Sequence, residues 1–218
     1  GNLFSLIPFY KAARKAGVKP ILGCEVYVSA GKYNEKTYNH GNNKWGYYHL
    51  VLLAQNNIGY MNLMKLTTIG YLEGFYYKPR IDKDLLKKYN EGLIATSACL
   101  AGEVTSFAAK GDYESAKKAA LEHKEIFGNR FYLELQNHGI PEEEIARATI
   151  IKLSKELDIP LVATNDNHYS RKEHSNAHDI LFCCGMGKFK TDKDRHRYEH
   201  EQFYIKSTDE MYRLFKDN

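Results

Sequence analysis

Long apolar runs, cysteines and glycine-rich loops are scarce in this chain, and each scarcity excludes a class of protein. No run among the 218 residues approaches the roughly 18 consecutive apolar positions of a membrane helix. Stretches such as residues 50–54 (LVLLA) are strand-sized, so membrane spanning is not expected. The four cysteines, Cys24, Cys99, Cys183 and Cys184, are too few and too scattered for the disulfide framework of a small secreted domain. The opening residues, GNLFSLIPFYKAARK, have no charged leader ahead of an apolar stretch, and a reducing, cytoplasmic setting is expected. GxGxxG, GxxxxGK[ST] and GxSxG are all absent, which argues against a Rossmann domain, a P-loop and a hydrolase nucleophile elbow. No internal repeat or low-complexity tract is evident. Charge of one sign is also scarce: 31 Lys and Arg face 27 Asp and Glu, a net +4. The surplus sits in residues 1–50, where Lys11, Arg14, Lys15, Lys19, Lys32, Lys36 and Lys44 outnumber Glu25 and Glu35. Such a surplus can attract a phosphate backbone, although the solvated face of a surface helix is the commoner reason for it.

What is present is an ordinary soluble composition, 43% hydrophobic and 27% charged, on a chain long enough to bury a real core. Short apolar segments rich in β-branched and aromatic residues occur at 20–29 (PILGCEVYVS), 47–54 (YYHLVLLA), 92–98 (GLIATSA), 130–136 (RFYLELQ) and 159–166 (IPLVATND). They have strand length, and several are near-continuous in apolar character, as strands buried on both faces are. Helical patterns lie between most of them. Pro8 and Gly17 bracket a helix around 9–16, apolar spacing predicts one over 57–71, and Asp112 and Gly128 bound 113–127. Pro141 opens another over 142–157. Alternating helix and strand predicts an α/β fold with parallel pairing, either an open doubly wound sheet or part of a (β/α) barrel. Residues 31–46 (GKYNEKTYNHGNNKWG) are polar and read as an exposed loop. Beyond Tyr169 the spacing predicts a helix over 170–182, an irregular charged stretch over 185–200, a short strand at 202–206 and a capping box, STDE, opening a last helix.

Metal-type side chains recur on or just after the strand segments: Glu25, His49, Cys99, Asp166 and His168. Carboxylate, imidazole and thiolate are the donors that first-row divalent ions select. At strand ends of a barrel such donors would meet at one mouth. Asp166 and His168 are two apart, which in an extended segment points both to one face. Each residue also has a bland reading as a paired core carboxylate, a satisfied buried imidazole or a small apolar thiol. His49 fits a barrel mouth awkwardly, because it stands at the front of its apolar run. The pairs His174/His178 and His196/His200 have i, i+4 spacing and read as solvated helix faces, because they lack CxxC-type zinc spacing.

Taken together, KAARKAGVKPILGCEVYV, YYHLVLLAQN, EGFYYKPRID, EGLIATSACLAGEV, FYLELQNHGIP, IPLVATNDNHY and FYIKSTDEMYRLF resemble the polymerase and histidinol phosphatase (PHP) domain found at the N-terminus of bacterial replicative DNA polymerase III alpha subunits. The resemblance runs nearly end to end. It implies a distorted seven-stranded (β/α) barrel with a metal cluster at its C-terminal mouth, held here by Glu25, His49, Cys99, Asp166 and His168. The implied cofactors are divalent ions, zinc or manganese, with magnesium a further option. The implied chemistry is metal-dependent phosphoester hydrolysis, in this setting a 3′–5′ proofreading exonuclease. Polymerisation, the nucleotidyltransferase activity, would be carried by regions beyond Asn218. The implied partners are DNA and other polymerase III holoenzyme subunits, including a separate proofreading exonuclease subunit. The family's first two strands and four upstream ligands have no counterpart in the sequence, so an incomplete barrel is expected over residues 1–184, with 185–218 a connector toward the palm. Two other readings remain open at this point: a structural module that supports the polymerase and docks the exonuclease subunit, and a stand-alone phosphatase of the histidinol-phosphate type.

Overall fold

The computed structural model describes residues 1–36, 46–198 and 200–216. Helix α1 (Leu6–Lys15) precedes two long strands, β1 (Gly23–Ser29) and β2 (Tyr47–Ala54). Helix α2 (Asn57–Leu72), the short strands β3 (Phe75–Tyr76) and β4 (Lys78–Ile81), helix α3 (Lys83–Tyr89) and strand β5 (Leu93–Thr96) follow. Then come α4 (Glu103–Ala109), α5 (Tyr113–Phe127), β6 (Phe131–Leu135), α6 (Pro141–Leu157), β7 (Leu161–Ala163), α7 (Ser175–Met186) and α8 (Thr208–Phe215). The strands form one sheet in the order β3-β4-β1-β2-β5-β6-β7.

The expected all-parallel pairing does not hold. Strand β1 pairs in parallel with β4, as β5 does with β6 and β6 with β7, but β2 runs antiparallel to both of its neighbours. The reason is the connection: β1 and β2 are joined by a polar segment with no crossover helix among the described residues, and without a crossover the chain returns antiparallel. Most of the predicted loop at 31–46 lies outside the described residues; its ends are tied by the Ala30 amide donating to the Gly46 carbonyl at 3.1 Å. Strands β3 and β4 were not anticipated. Nothing pairs β3 with β7, so the described residues form an open sheet and not a closed barrel.

Alternation along the strands separates two faces. Val26, Val28, Leu50, Leu52, Ala95, Phe131 and Leu133 are buried and pack with Leu63 and Leu66 of α2, Val104 of α4, Ala116 and Ala120 of α5, and Ile150 and Leu153 of α6. A fully enclosed leucine such as Leu52 or Leu93 contributes roughly 1.5–3 kcal/mol by leaving water. The other face carries Glu25, Tyr27, His49, Thr96 and Glu134. Helix α2 approaches β5 closely at its first turn. The Asn56 side chain caps the Gly59 amide at 3.0 Å, and a Cβ on Gly59 would lie 1.8 Å from the Gly92 carbonyl oxygen.

Several helix ends follow the sequence signals. Asp112 caps Ser115, Pro141 stands at the first position of α6, and Ser207 with Glu210 completes the capping box of α8. The predicted helix over 170–182 begins later, at Ser175, after a short 3-10 turn at Lys172–His174. The predicted strand at 202–206 is reduced to a single bridge between Tyr169 and Tyr204. No helix among the described residues is long and apolar enough to cross a membrane.

Candidate metal centre

The antiparallel register of β1 and β2 sets the first two donors. Tyr27 stands opposite His49 and Glu25 opposite Val51, so all four project from the same face. His49 Nδ1 lies 2.6 Å from Glu25 Oε1, and its ring meets Tyr27 edge-on with centroids 5.3 Å apart. Because β2 is reversed, its front end lies beside the C-terminal end of β1. That resolves the awkward placement of His49: the start of a reversed strand reaches the same mouth as the end of a forward one.

Cys99 follows β5 in a tight loop. Ala98 holds a left-handed φ of 59°, Gly102 donates to the Cys99 carbonyl at 2.8 Å, and a Cβ on Gly102 would sit 2.0 Å from the Ser97 carbonyl oxygen. The His49 amide donates to the Ala101 carbonyl at 3.0 Å, which ties this loop to β2. The Cys99 sulfur is thereby 3.7 Å from His49 Nδ1. One donor atom from each of Glu25, His49 and Cys99 lies within 4.8 Å of the others.

Asp166 and His168 follow β7. Asp166 is a second non-glycine residue in the left-handed region, φ 42°, so two of the four such residues among the described residues adjoin or belong to the predicted donor set. Strain of this kind costs about 1–3 kcal/mol and persists where the surroundings impose it. Here Asn165 is held through its side-chain amide by the carbonyls of Gln202 and Tyr204, each at 2.8 Å, and the His168 amide donates to the Phe203 carbonyl at 2.8 Å. His168 Nδ1 is 2.6 Å from the Asp166 backbone carbonyl. A carbonyl only accepts, so Nδ1 carries the proton and Nε2 carries the lone pair. Asp166 and His168 are not within the close Glu25, His49 and Cys99 group, but their charges act on its members.

The electrostatics follow from crowding. Burial resists ionisation of Glu25, yet the hydrogen bond and charge of His49 outweigh it and hold the carboxyl below its ordinary value. Burial pushes Asp166 up, Glu25 adds to this and His168 opposes it. Burial pushes the Cys99 thiol far up, with Asp166 and Glu25 adding repulsion. A divalent cation relieves this congestion of acidic groups. Carboxylate, imidazole and thiol donors in mutual reach are a set that fits one.

Three residues that the sequence did not point out belong to this neighbourhood. Glu134 of β6 is buried, accepts from the Thr96 hydroxyl at 2.7 Å, and is pushed up to about 7 by burial, with Asp166 and Glu25 adding to the shift. A lone carboxylate inside an apolar strand was the available signal. His138 is buried, stacks on Phe203 at 4.0 Å, lies 2.6 Å from Glu143 through Nδ1 and donates through Nε2 to the Asn165 carbonyl at 2.9 Å. It fixes the backbone just before Asp166. Tyr198 places its hydroxyl 2.9 Å from His168 Nε2. Nothing local in the sequence announces that contact. The histidine pairs differ from their expected setting: His196 and His200 are not on a helix, and His178 of α7 packs edge-on against Phe182 at 4.9 Å.

An open mixed α/β sheet with clustered metal donors on one face defines a class, and comparison with known proteins agrees: the PHP domain family model matches residues 1–138. The chain belongs to the PHP domain family. It is similar over its whole length to the DNA polymerase III subunit alpha of Borreliella burgdorferi, at 51% identity, and of Campylobacter jejuni, at 44%. The subunit of the same name from Thermus aquaticus is 41% identical over 97% of the chain. The chain spans less than a fifth of the length of these relatives, 19%, 18% and 17% respectively.

Proposed function

We propose that this chain is the PHP-bearing part of a replicative DNA polymerase III alpha subunit, and that Glu25, His49, Cys99, Asp166 and His168 hold divalent ions for phosphodiester hydrolysis at a DNA 3′ end. The observation that carries the reading is the mutual reach of the Glu25, His49 and Cys99 donors on one open face. When bound, divalent ions make water acidic enough to attack at neutral pH and withdraw charge from phosphoryl oxygens. The chain's own residues prepare that chemistry. Glu25 is ionised at neutral pH and offers two oxygens. His168 presents Nε2 because Nδ1–H is committed to the Asp166 carbonyl. Cys99 keeps its proton until an ion replaces it. The thiol and imidazoles favour zinc, and the carboxylates also suit manganese or magnesium.

In this reading the sheet is most of a PHP barrel that further strands would complete, residues 1–184 are the domain, and residues 185–218 lead toward the palm. Polymerisation belongs to regions beyond this chain, DNA and other cytoplasmic holoenzyme subunits are its partners, and a proofreading subunit is among them. The test is degradation of a primer–template from its 3′ end, with manganese or zinc, by the alpha subunit carrying this chain. Glu25→Gln and Asp166→Asn are each expected to lower the rate at least about a hundredfold. Unchanged rates in both variants would remove the hydrolytic assignment and leave a supporting module.

A further inference from the structure

A cleft of about 470 Å³ opens between α7 and the segment after it, and Tyr198, which contacts His168, is part of its lining. Small-molecule sites occupy roughly 300–1,000 Å³, so the space suits one nucleotide. Two kinds of side chain line it. Phe182, His178 and Tyr198 form an aromatic wall, with centroids 4.9 Å apart for the first two and 5.6 Å for Phe182 and Tyr198. Lys190, Arg195 and Arg197 bring three cations, against the carboxylates of Asp179 and Glu201. Arg195 is built in: its side chain is 3% exposed, and it grips Asp179 through both terminal nitrogens, at 2.5 and 2.9 Å. Its Nε is buried and has no hydrogen-bond partner among the described residues.

An aromatic wall facing cations is the chemistry that takes a base on one side and a phosphate on the other. We propose that this cleft holds the terminal deoxynucleoside monophosphate unit of a DNA strand, its base against Phe182 and His178 and its phosphate toward Lys190, Arg195 and Arg197. Tyr198 belongs both to the cleft wall and to the hydrogen bond on His168, so it links this cleft to the proposed donor set. The inference rests on the 3′-end reading above, but it is tested without metal or turnover.

Isothermal titration calorimetry in chelator, on the intact alpha subunit, compares dAMP, deoxyadenosine and inorganic phosphate, with a deoxyadenosine tetranucleotide as competitor. The expected result is that dAMP binds at least about tenfold more tightly than either fragment and is displaced by the tetranucleotide. Phe182→Ala, and separately Lys190→Gln with Arg197→Gln, each weaken dAMP about tenfold, with folding checked by circular dichroism. Equal binding of dAMP and phosphate, unaltered affinity in both variants, or a tetranucleotide that fails to compete would each overturn the proposal. Because binding is read in chelator, an inert Glu25→Gln result bears on the hydrolytic reading and leaves this outcome separate.

Discussion

The Tyr198 hydroxyl donates to His168 Nε2 across 2.9 Å, and that nitrogen is the one left open for an ion once Nδ1–H is bound to the Asp166 carbonyl. An ion held by His168, as proposed, would compete with the phenol for the same lone pair. Replacing it should release the competition. Tyr198→Phe is expected to raise zinc affinity roughly 2- to 10-fold, the value of one net hydrogen bond, measured by calorimetric titration. A weaker affinity in the variant would show instead that the hydroxyl supports the bound ion.

Thiol reactivity separates the half-buried Cys99 from the exposed Cys184. Burial and the Asp166 and Glu25 carboxylates keep Cys99 protonated, whereas Cys184 is exposed. Cys24 and Cys183 are buried. Titration of the chelated native protein's PHP segment with a disulfide reagent at pH 8 should show Cys184 reacting fast, and the remaining three cysteines reacting only on unfolding. Mass mapping that finds Cys99 modified as quickly as Cys184 would contradict the protonated, shielded thiol.

Glu134 makes stability depend on pH with a definite sign. Its folded value, about 7, lies above the ordinary carboxyl value of 4.5, so folding favours the protonated form. Its stabilising protonation is complete below the ordinary value and is lost as pH rises toward 7. Above that the buried charge is a fixed penalty. Glu134→Gln should therefore leave the metal-free melting temperature unchanged near pH 4 and raise it at pH 8, by about 5 °C given a penalty of roughly 2–3 kcal/mol. Equal effects at both pH values would mean that the carboxyl is not shifted.

Close approach of backbone to backbone limits Gly59. With the Gly92 carbonyl 1.8 Å from the position of an added Cβ, no side-chain rotation relieves the clash. Gly59→Ala is expected to cost about 3 kcal/mol and to lower the melting temperature by roughly 10 °C. Gly111→Ala is the comparison: nothing lies within 4 Å of its added Cβ, but its φ of 74° makes the substitution costly for the backbone alone. A thermal melt that leaves Gly59→Ala unchanged would rule out the tight contact between α2 and the turn before β5.

Strand β2 and helix α5 show what local pattern determines. Their apolar content and the Asp112 and Gly128 boundaries predict them, because strand and helix periodicity are local properties. Direction is not local. Nothing within residues 47–54 says which way they run in the sheet, and the antiparallel setting that brings His49 to Glu25 emerges only on pairing. Strands β3 and β4 have two and four residues, with Pro79 and a wholly buried Arg80 between them, so no alternation could mark them. Helices α3 and α4, seven residues each, are likewise too short to display a period. At the site, residue type and position on or just after the strands singled out Glu25, His49 and Cys99, which the fold brings together, along with Asp166 and His168, which lie outside that close group. His138 and Tyr198 escaped because their importance lies in partners 27 and 30 residues distant, Asn165 and His168.

The strand order also has a temporal meaning. A ribosome delivers β1 and β2 before β5, so Glu25 and His49 can meet while Cys99 is still unmade, and the loop bearing Asp166 and His168 follows later. At roughly 5–20 residues per second, the interval between Glu25 and His168 is about 7–30 s. For about the first half of that window the Glu25 carboxylate and the His49 imidazole face one another without the Cys99 thiol. The backbone at Gln202 and Tyr204, which holds the Asn165 side chain just before Asp166, is made later still, so the setting of that loop is completed well after the thiol is in place.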